Sequence, residues 1–217
     1  MFRHHWNVLS ILTAAVFVSA ALTFGCADDD DASPTGPADP EEHEEDDHDD
    51  DHDHGPGEEE LITTLALTIT PSGGGSPIIV RFRDLDGEGG NAPVVDVLAV
   101  TAGTDYNGMV QVLNETETPP ENITEEVEEE AEAHQFFFKT LGGFSAATVE
   151  YADKESDYVS NSGADHPVGL AFTLSVPDNA QNGQFQIILS HYDESPKDGV
   201  NRSDETDIDV TFEVLVR

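Results

Sequence analysis

The sequence predicts an all-β fold for residues 61–217: an antiparallel Ig-like β-sandwich of about eight or nine strands with one short helix. Three observations carry this. Apolar residues recur at every second position in one segment after another, the period of a strand with one buried face. Clusters of Gly, Asn, Asp, Ser and Pro separate those segments at short intervals. Only one stretch shows the three-to-four spacing of a helix.

The elements follow in order. "LITTLALTIT" (61–70) puts Leu61, Thr63, Leu65, Leu67 and Ile69 on one side of a strand, against mostly smaller or polar neighbours. "PIIVRFR" (77–83), "PVVDVLAVTA" (93–102) and "YNGMVQVLNE" (106–115) continue the pattern. So do "QFFFKT" (135–140), "AATVEYA" (146–152), "VGLAFTLSV" (168–176), "GQFQIILSHY" (183–192) and "TDIDVTFEVLV" (206–216). Turn-forming runs such as "PSGGGSP", "DGEGGNAP" and "PDNAQNG" stand between them. Alternation within "FFF" sends one ring of Phe136, Phe137 and Phe138 to the face opposite the other two, as core packing requires. The exception is "PPENITEEVEEEAEAHQ". Asn122 with Glu125 three residues on reads as a capping box, and Ile123, Val127, Ala131 and His134 fall on one helical stripe. This segment predicts a short helix packed across an edge or end of the sandwich.

Before residue 61 the chain has a different character. Residues 1–25 read as an export signal, with Arg3, His4 and His5 preceding the apolar run "NVLSILTAAVFVSAALTF". Its place before Cys26, the single cysteine, resembles a bacterial lipoprotein signal, in which that cysteine is acylated after cleavage. Thr23 and Phe24 stand where leucine and a small residue are more usual. With Cys26 lipidated, no thiol remains for a disulfide, a zinc site or a nucleophile. Residues 26–60 then form the anchor and an acidic tether. They have almost no apolar content and no lysine or arginine, so composition predicts disorder and like-charge extension. Fully stretched, such a segment reaches roughly 110 Å.

The charge balance excludes one class of partner. The chain has 8 Lys+Arg against 46 Asp+Glu, a formal net charge of -38. Nucleic acid and anionic headgroups are bound through basic side chains and released counterions, so no nucleic acid is expected. Cations are the natural ligands, and contact with a membrane is expected only through the lipid anchor.

"EELITTL", "FRDLDGEGGNAP", "LNETETPPENITEEVEEEAEAHQFFF" and "SHYDESPKDG" with "DETDIDVTFEV" together resemble a family of small bacterial envelope lipoproteins. Some of its members are labelled type 1 periplasmic binding. That label implies two lobes of alternating strands and helices, whereas this chain offers one helix and many strands. The resemblance implies an envelope-anchored, non-enzymatic binding role, and with the lipid anchor the chain is expected at the outer membrane. "CADDDDA" also resembles the export tag that sends lipoproteins to the cell surface, against the reading in which these aspartates simply begin the tether.

Three groups of residues carry candidate chemistry. His43, His48, His52 and His54 sit in the carboxylate row of the tether. Imidazole with carboxylate suits zinc, and also copper or nickel, and the arrangement is similar to the His/Asp-rich loops of periplasmic zinc-binding proteins. The competing reading is a solvated spacer in which histidine is incidental. Asp84 and Asp86, with Glu88 and Gly89, resemble the first half of a calcium loop, and Asp96 could add a ligand. The twelfth position would be Val95, so a complete EF-hand is ruled out, and a glycine-rich turn with solvated acids competes. Glu130 and His134 stand four apart, a spacing that lets two ligands meet one ion on a helix face. His134 is also on the apolar stripe, where a core histidine satisfied by a backbone carbonyl is the alternative. His166 and His191 have no position relative to it from sequence.

No G-x-S-x-G, H-E-x-x-H or phosphate loop occurs, and the expectation is a binding protein without enzymatic activity. Two functions are consistent with these residues. One is capture of divalent metal, with a possible outer-membrane transporter as recipient. The other is a structural or adhesive surface module that contacts protein or glycan.

Overall fold

A computed structural model describes residues 61–217 apart from Glu88, Asn161 and Glu194. The predicted export signal, Cys26 and the tether histidines His43, His48, His52 and His54 lie outside the described residues.

Ten strands form. They are β1 (Thr64–Pro71), β2 (Ile78–Arg83), β3 (Val94–Val95), β4 (Leu98–Val100) and β5 (Thr104–Leu113), followed after the helix by β6 (His134–Gly142), β7 (Thr148–Tyr151), β8 (Ala171–Val176), β9 (Gly183–His191) and β10 (Glu205–Val216). One sheet has the order β3-β2-β1-β5-β8-β7 and the other β4-β10-β9-β6. The two faces share one core, so the predicted all-β sandwich is present. Every pair is antiparallel except β4 with β10, which run parallel.

The predicted strand 93–102 is two strands in two sheets. Asp96 explains the break: its N–H donates to Arg81 O and its Oδ2 accepts from Arg81 N, ending the pairing with β2. Leu98 and Val100 are then buried beside β10.

Alternation sets the core. In β5, Tyr106, Val110 and Val112 point inward, and the inward position between them is Gly108. A Cβ there would stand 2.2 Å from the Phe172 ring, so glycine makes room for that ring. Phe172 lies 4.5 Å from Phe138 and 6.1 Å from Phe185, centroid to centroid, which bridges the two sheets. Each buried phenylalanine contributes about 1.5–3 kcal/mol through area removed from water.

The one α-helix among the described residues, α1, spans Ile123–Glu129 and buries Ile123 and Val127 against the core. It takes up the side of β5 that β8 leaves open, since Thr124 Oγ1 accepts from Val112 N and donates to Val112 O. Two sequence expectations are corrected here. The Asn122 side chain makes no bond to a helix N–H; its Nδ2 donates to Glu125 Oε1 instead. The helix also stops at Glu129, so Ala131 is buried in the following turn and His134 opens β6. Four glutamates near the C-terminal end oppose the helix dipole, and an early stop suits that charge. Among the described residues no helix is long and apolar enough to cross a membrane.

Candidate metal centre

His134 and His191 are direct cross-strand partners, at the start of β6 and the end of β9. Their rings stack with centroids 4.4 Å apart and planes 23° from parallel. Both residues are buried, at 0% and 2% exposed. Glu130, the residue capping the end of α1, completes a group. One ligand atom from each of Glu130, His134 and His191 lies within 4.8 Å of the others, an arrangement that could hold a metal ion.

The sequence expected Glu130 and His134 to meet on a helix face. They do come together, but by a different route. The chain turns through residues 131–133, and His134 Nδ1 lies 3.2 Å from Glu130 O. That contact also matches the carbonyl-satisfied histidine considered from the sequence, so the ring is both held by the backbone and placed in the cluster. His191 was absent from the expected ligand set, because strand register is not readable from an isolated segment.

Two further carboxylates approach the rings. Asp193 Oδ1 lies 3.0 Å from His191 Nε2. Asp207, whose side chain is 1% exposed, lies 3.8 Å from His134 Nε2 and 3.7 Å from His191 Nδ1. Asp207 reaches this place through a bulge. Thr206 pairs with Ser190 and Ile208 with Leu189, leaving Asp207 as the extra residue of β10.

The backbone beneath the site is fixed by one buried cation. Lys197, from the connection between β9 and β10, donates from Nζ to Ala131 O at 2.7 Å and His134 O at 2.8 Å, and pairs with Glu155 Oε1 at 3.1 Å. Burial pushes its ammonium below the usual lysine range, while the Glu155 hydrogen bond and charge oppose that shift. The same connection is tied down by Asp198, whose carboxylate accepts from the backbone N–H groups of Asn201 and Val200 and from Asn201 Nδ2. Those bonds, chiefly the Asn201 amide, hold Asp198 down at about 2.

Asp84 and Asp86 lie elsewhere. Asp84 Oδ1 accepts from Gly87 N and Asp86 Oδ2 from Asn91 N, as in a tight turn that binds its own amides. The Asn91 backbone bond lowers the Asp86 carboxyl below its ordinary range. Both line a cleft of about 790 Å³ that Asp207 and Asp209 also line. Asp96, the other oxygen considered for calcium, is engaged with Arg81.

Comparison with protein-family models, curated proteins and solved structures finds no match.

Proposed function

We propose that this protein is a lipid-anchored envelope binding protein that captures divalent transition-metal ions. The observation that supports it is the grouping of buried His134 and His191 with half-buried Glu130 at one end of the four-stranded sheet. Two imidazoles and a carboxylate match zinc, with copper and nickel as competitors. The acidic segment with His43, His48, His52 and His54 fits the same role, because its charge raises the local cation concentration while its histidines exchange ions weakly. Acylated Cys26 holds the chain at the outer membrane, with the cell surface favoured by the "DDDD" run behind it, and an outer-membrane transporter is the recipient of the ion. The resemblance to small envelope lipoproteins belongs to this reading. Calcium at Asp84 and Asp86 is a separate, weaker proposal, and a calcium-specific rise in melting temperature tests it.

The decisive measurement is metal content. Full-length protein incubated with zinc and dialysed is expected to retain one ion per chain, and the His134→Ala, His191→Ala double variant to retain none. A wild-type protein that emerges metal-free, with an unchanged melting temperature, defeats the reading.

One feature favours the second reading, a surface module that contacts protein or glycan. Val94, Val95 and Val97 are exposed around the two-residue edge strand β3, with Leu85 and Ile79 also exposed. Apolar exposure at a sheet edge is a common mark of contact with another chain.

A further inference from the structure

We infer that a pocket on the outer face of the six-stranded sheet binds a small organic amine, a protonated amino group on a short apolar body. The pocket lies between α1 and the strands β1, β5 and β8, and it shares no residue with the Glu130–His134–His191 group.

Strand register builds the floor. Thr68 stands opposite Ile79 on one side and Met109 on the other, and Met109 stands opposite Ala171. Alternation turns this row away from the core, since the chain neighbours Leu67, Ile69 and Val110 are buried. Ile79 and Met109 are left 48% and 64% exposed. Leu170 adds a further apolar side to a cavity of about 390 Å³, at the lower end of the range for small-molecule sites.

The walls decide what the cavity takes. Thr124 and Glu128 line it from α1, and Tyr158 lines it from the segment after β7. Glu128 is half-buried and is the one charged side chain of the lining, to which no lysine, arginine or histidine contributes. Two of the hydroxyls are engaged elsewhere. Thr124 Oγ1 exchanges bonds with the main chain of Val112, and Tyr158 donates to Asp153 Oδ2 at 2.8 Å. Asp153 also accepts from Gly169 N and Ala171 N, so the Tyr158 ring is tied to the strand beside it. Burial, then the Asp153 bond and charge, push the Tyr158 phenol up, and the Glu128 charge adds to that shift. Carboxylate and ring are thus within electrostatic reach of each other.

A carboxylate beside an aromatic ring suits an ammonium group: the carboxylate accepts its N–H bonds and the ring attracts its charge. An anion would meet Glu128 with no cation to balance it. A zinc-class ion would find a single carboxylate, where its sites use about three or four protein ligands. A protonated amine needs only acceptors, and its carbon chain fits the apolar floor, over which the unbranched Met109 side chain can fold. The formal charge of the chain, -38, raises the concentration of such cations near the surface.

Methionine supplies the probe. The chain has two, Met1 and Met109, so full-length protein with carbon-13 methyl groups on methionine gives two signals, and Met109→Leu identifies the one in the pocket. At neutral pH hexylamine is expected to move the Met109 signal saturably, with a dissociation constant about tenfold or more below that of hexanol. Hexanoate is expected to leave the signal in place. Glu128→Gln is expected to weaken hexylamine about tenfold, the lower end for a bond to a charged group. Glu129→Gln makes the same charge change at an exposed position outside the lining and is expected to bind as wild type. Equal affinity for amine and alcohol, binding of hexanoate, equal weakening in the two variants, wild-type affinity in Glu128→Gln, or a signal that none of the three compounds moves overturns the assignment. A Met109 signal that responds only to protein concentration also overturns it, and places a second copy on this face. If Glu128→Gln does not fold, the wild-type comparison of amine with alcohol decides.

Discussion

Lys197 shows how much one side chain can hold. Its ammonium has three acceptors, two of them the carbonyls of Ala131 and His134 that frame the turn into β6. A buried pair broken on one side leaves an uncompensated charge, so Lys197→Met is expected to cost about 3–5 kcal/mol. Replacing both partners, as Lys197→Met with Glu155→Leu, should recover part of that loss. Urea midpoints of the two variants check it, and a single variant as stable as wild type would show that the pair contributes nothing. Neither this lysine nor Asp207 could be picked out from sequence. Lys197 sits in the loop "ESPKDGVNRSD", which reads as exposed, and Asp207 occupies an outward position in the alternation of "TDIDVTFEV". The bulge alone reverses that position, and nothing in the residue types announces it.

Among the elements, β5 and β8 meet closely at Gly108, where the Phe172 ring fills the space of a missing side chain. Overpacking a filled core costs about 1–3 kcal/mol, and Gly108→Ala is expected to lose that much in thermal unfolding. Phe172→Leu removes part of the obstruction, so the two changes together should cost less than their sum. Additive losses would show that the ring is not the obstacle. Most strands lie within a few residues of where the period-two pattern puts them, because one buried face imposes alternation whatever the partner strand is. The segment 93–102 departs for a reason outside itself: Arg81 engages Asp96 and ends one sheet, and β10 takes the rest of the run into the other. Helix α1 stops earlier than its apolar stripe suggests, since Ala131 and His134 remain buried without being helical.

For the whole molecule, two kinds of metal binding are expected to separate in one titration. Replacing His43, His48, His52 and His54 by alanine in the full chain should abolish weak uptake beyond the first ion. The single retained ion should remain. At zinc about 100-fold above the dissociation constant, that ion is expected to stabilise the fold by about 2.7 kcal/mol. The variant should show the same rise in melting temperature as the wild type. Loss of the retained ion in this variant would move the principal site away from Glu130, His134 and His191.

Sequence by itself determined the class of fold, the position of nearly every strand and the strongly negative charge balance. These follow from local periodicity and from sums over residues, and neither needs a partner strand to be known. It also marked Glu130 and His134 as candidate ligands, although for a helical spacing the chain does not adopt. What only the tertiary structure decided is which side chains meet. His191 joins His134 by strand register, and Asp207 joins both by a single extra residue in β10. Register and bulges are set by the packing of two sheets against each other, so a cluster of side chains drawn from separate strands becomes visible only when those strands are side by side.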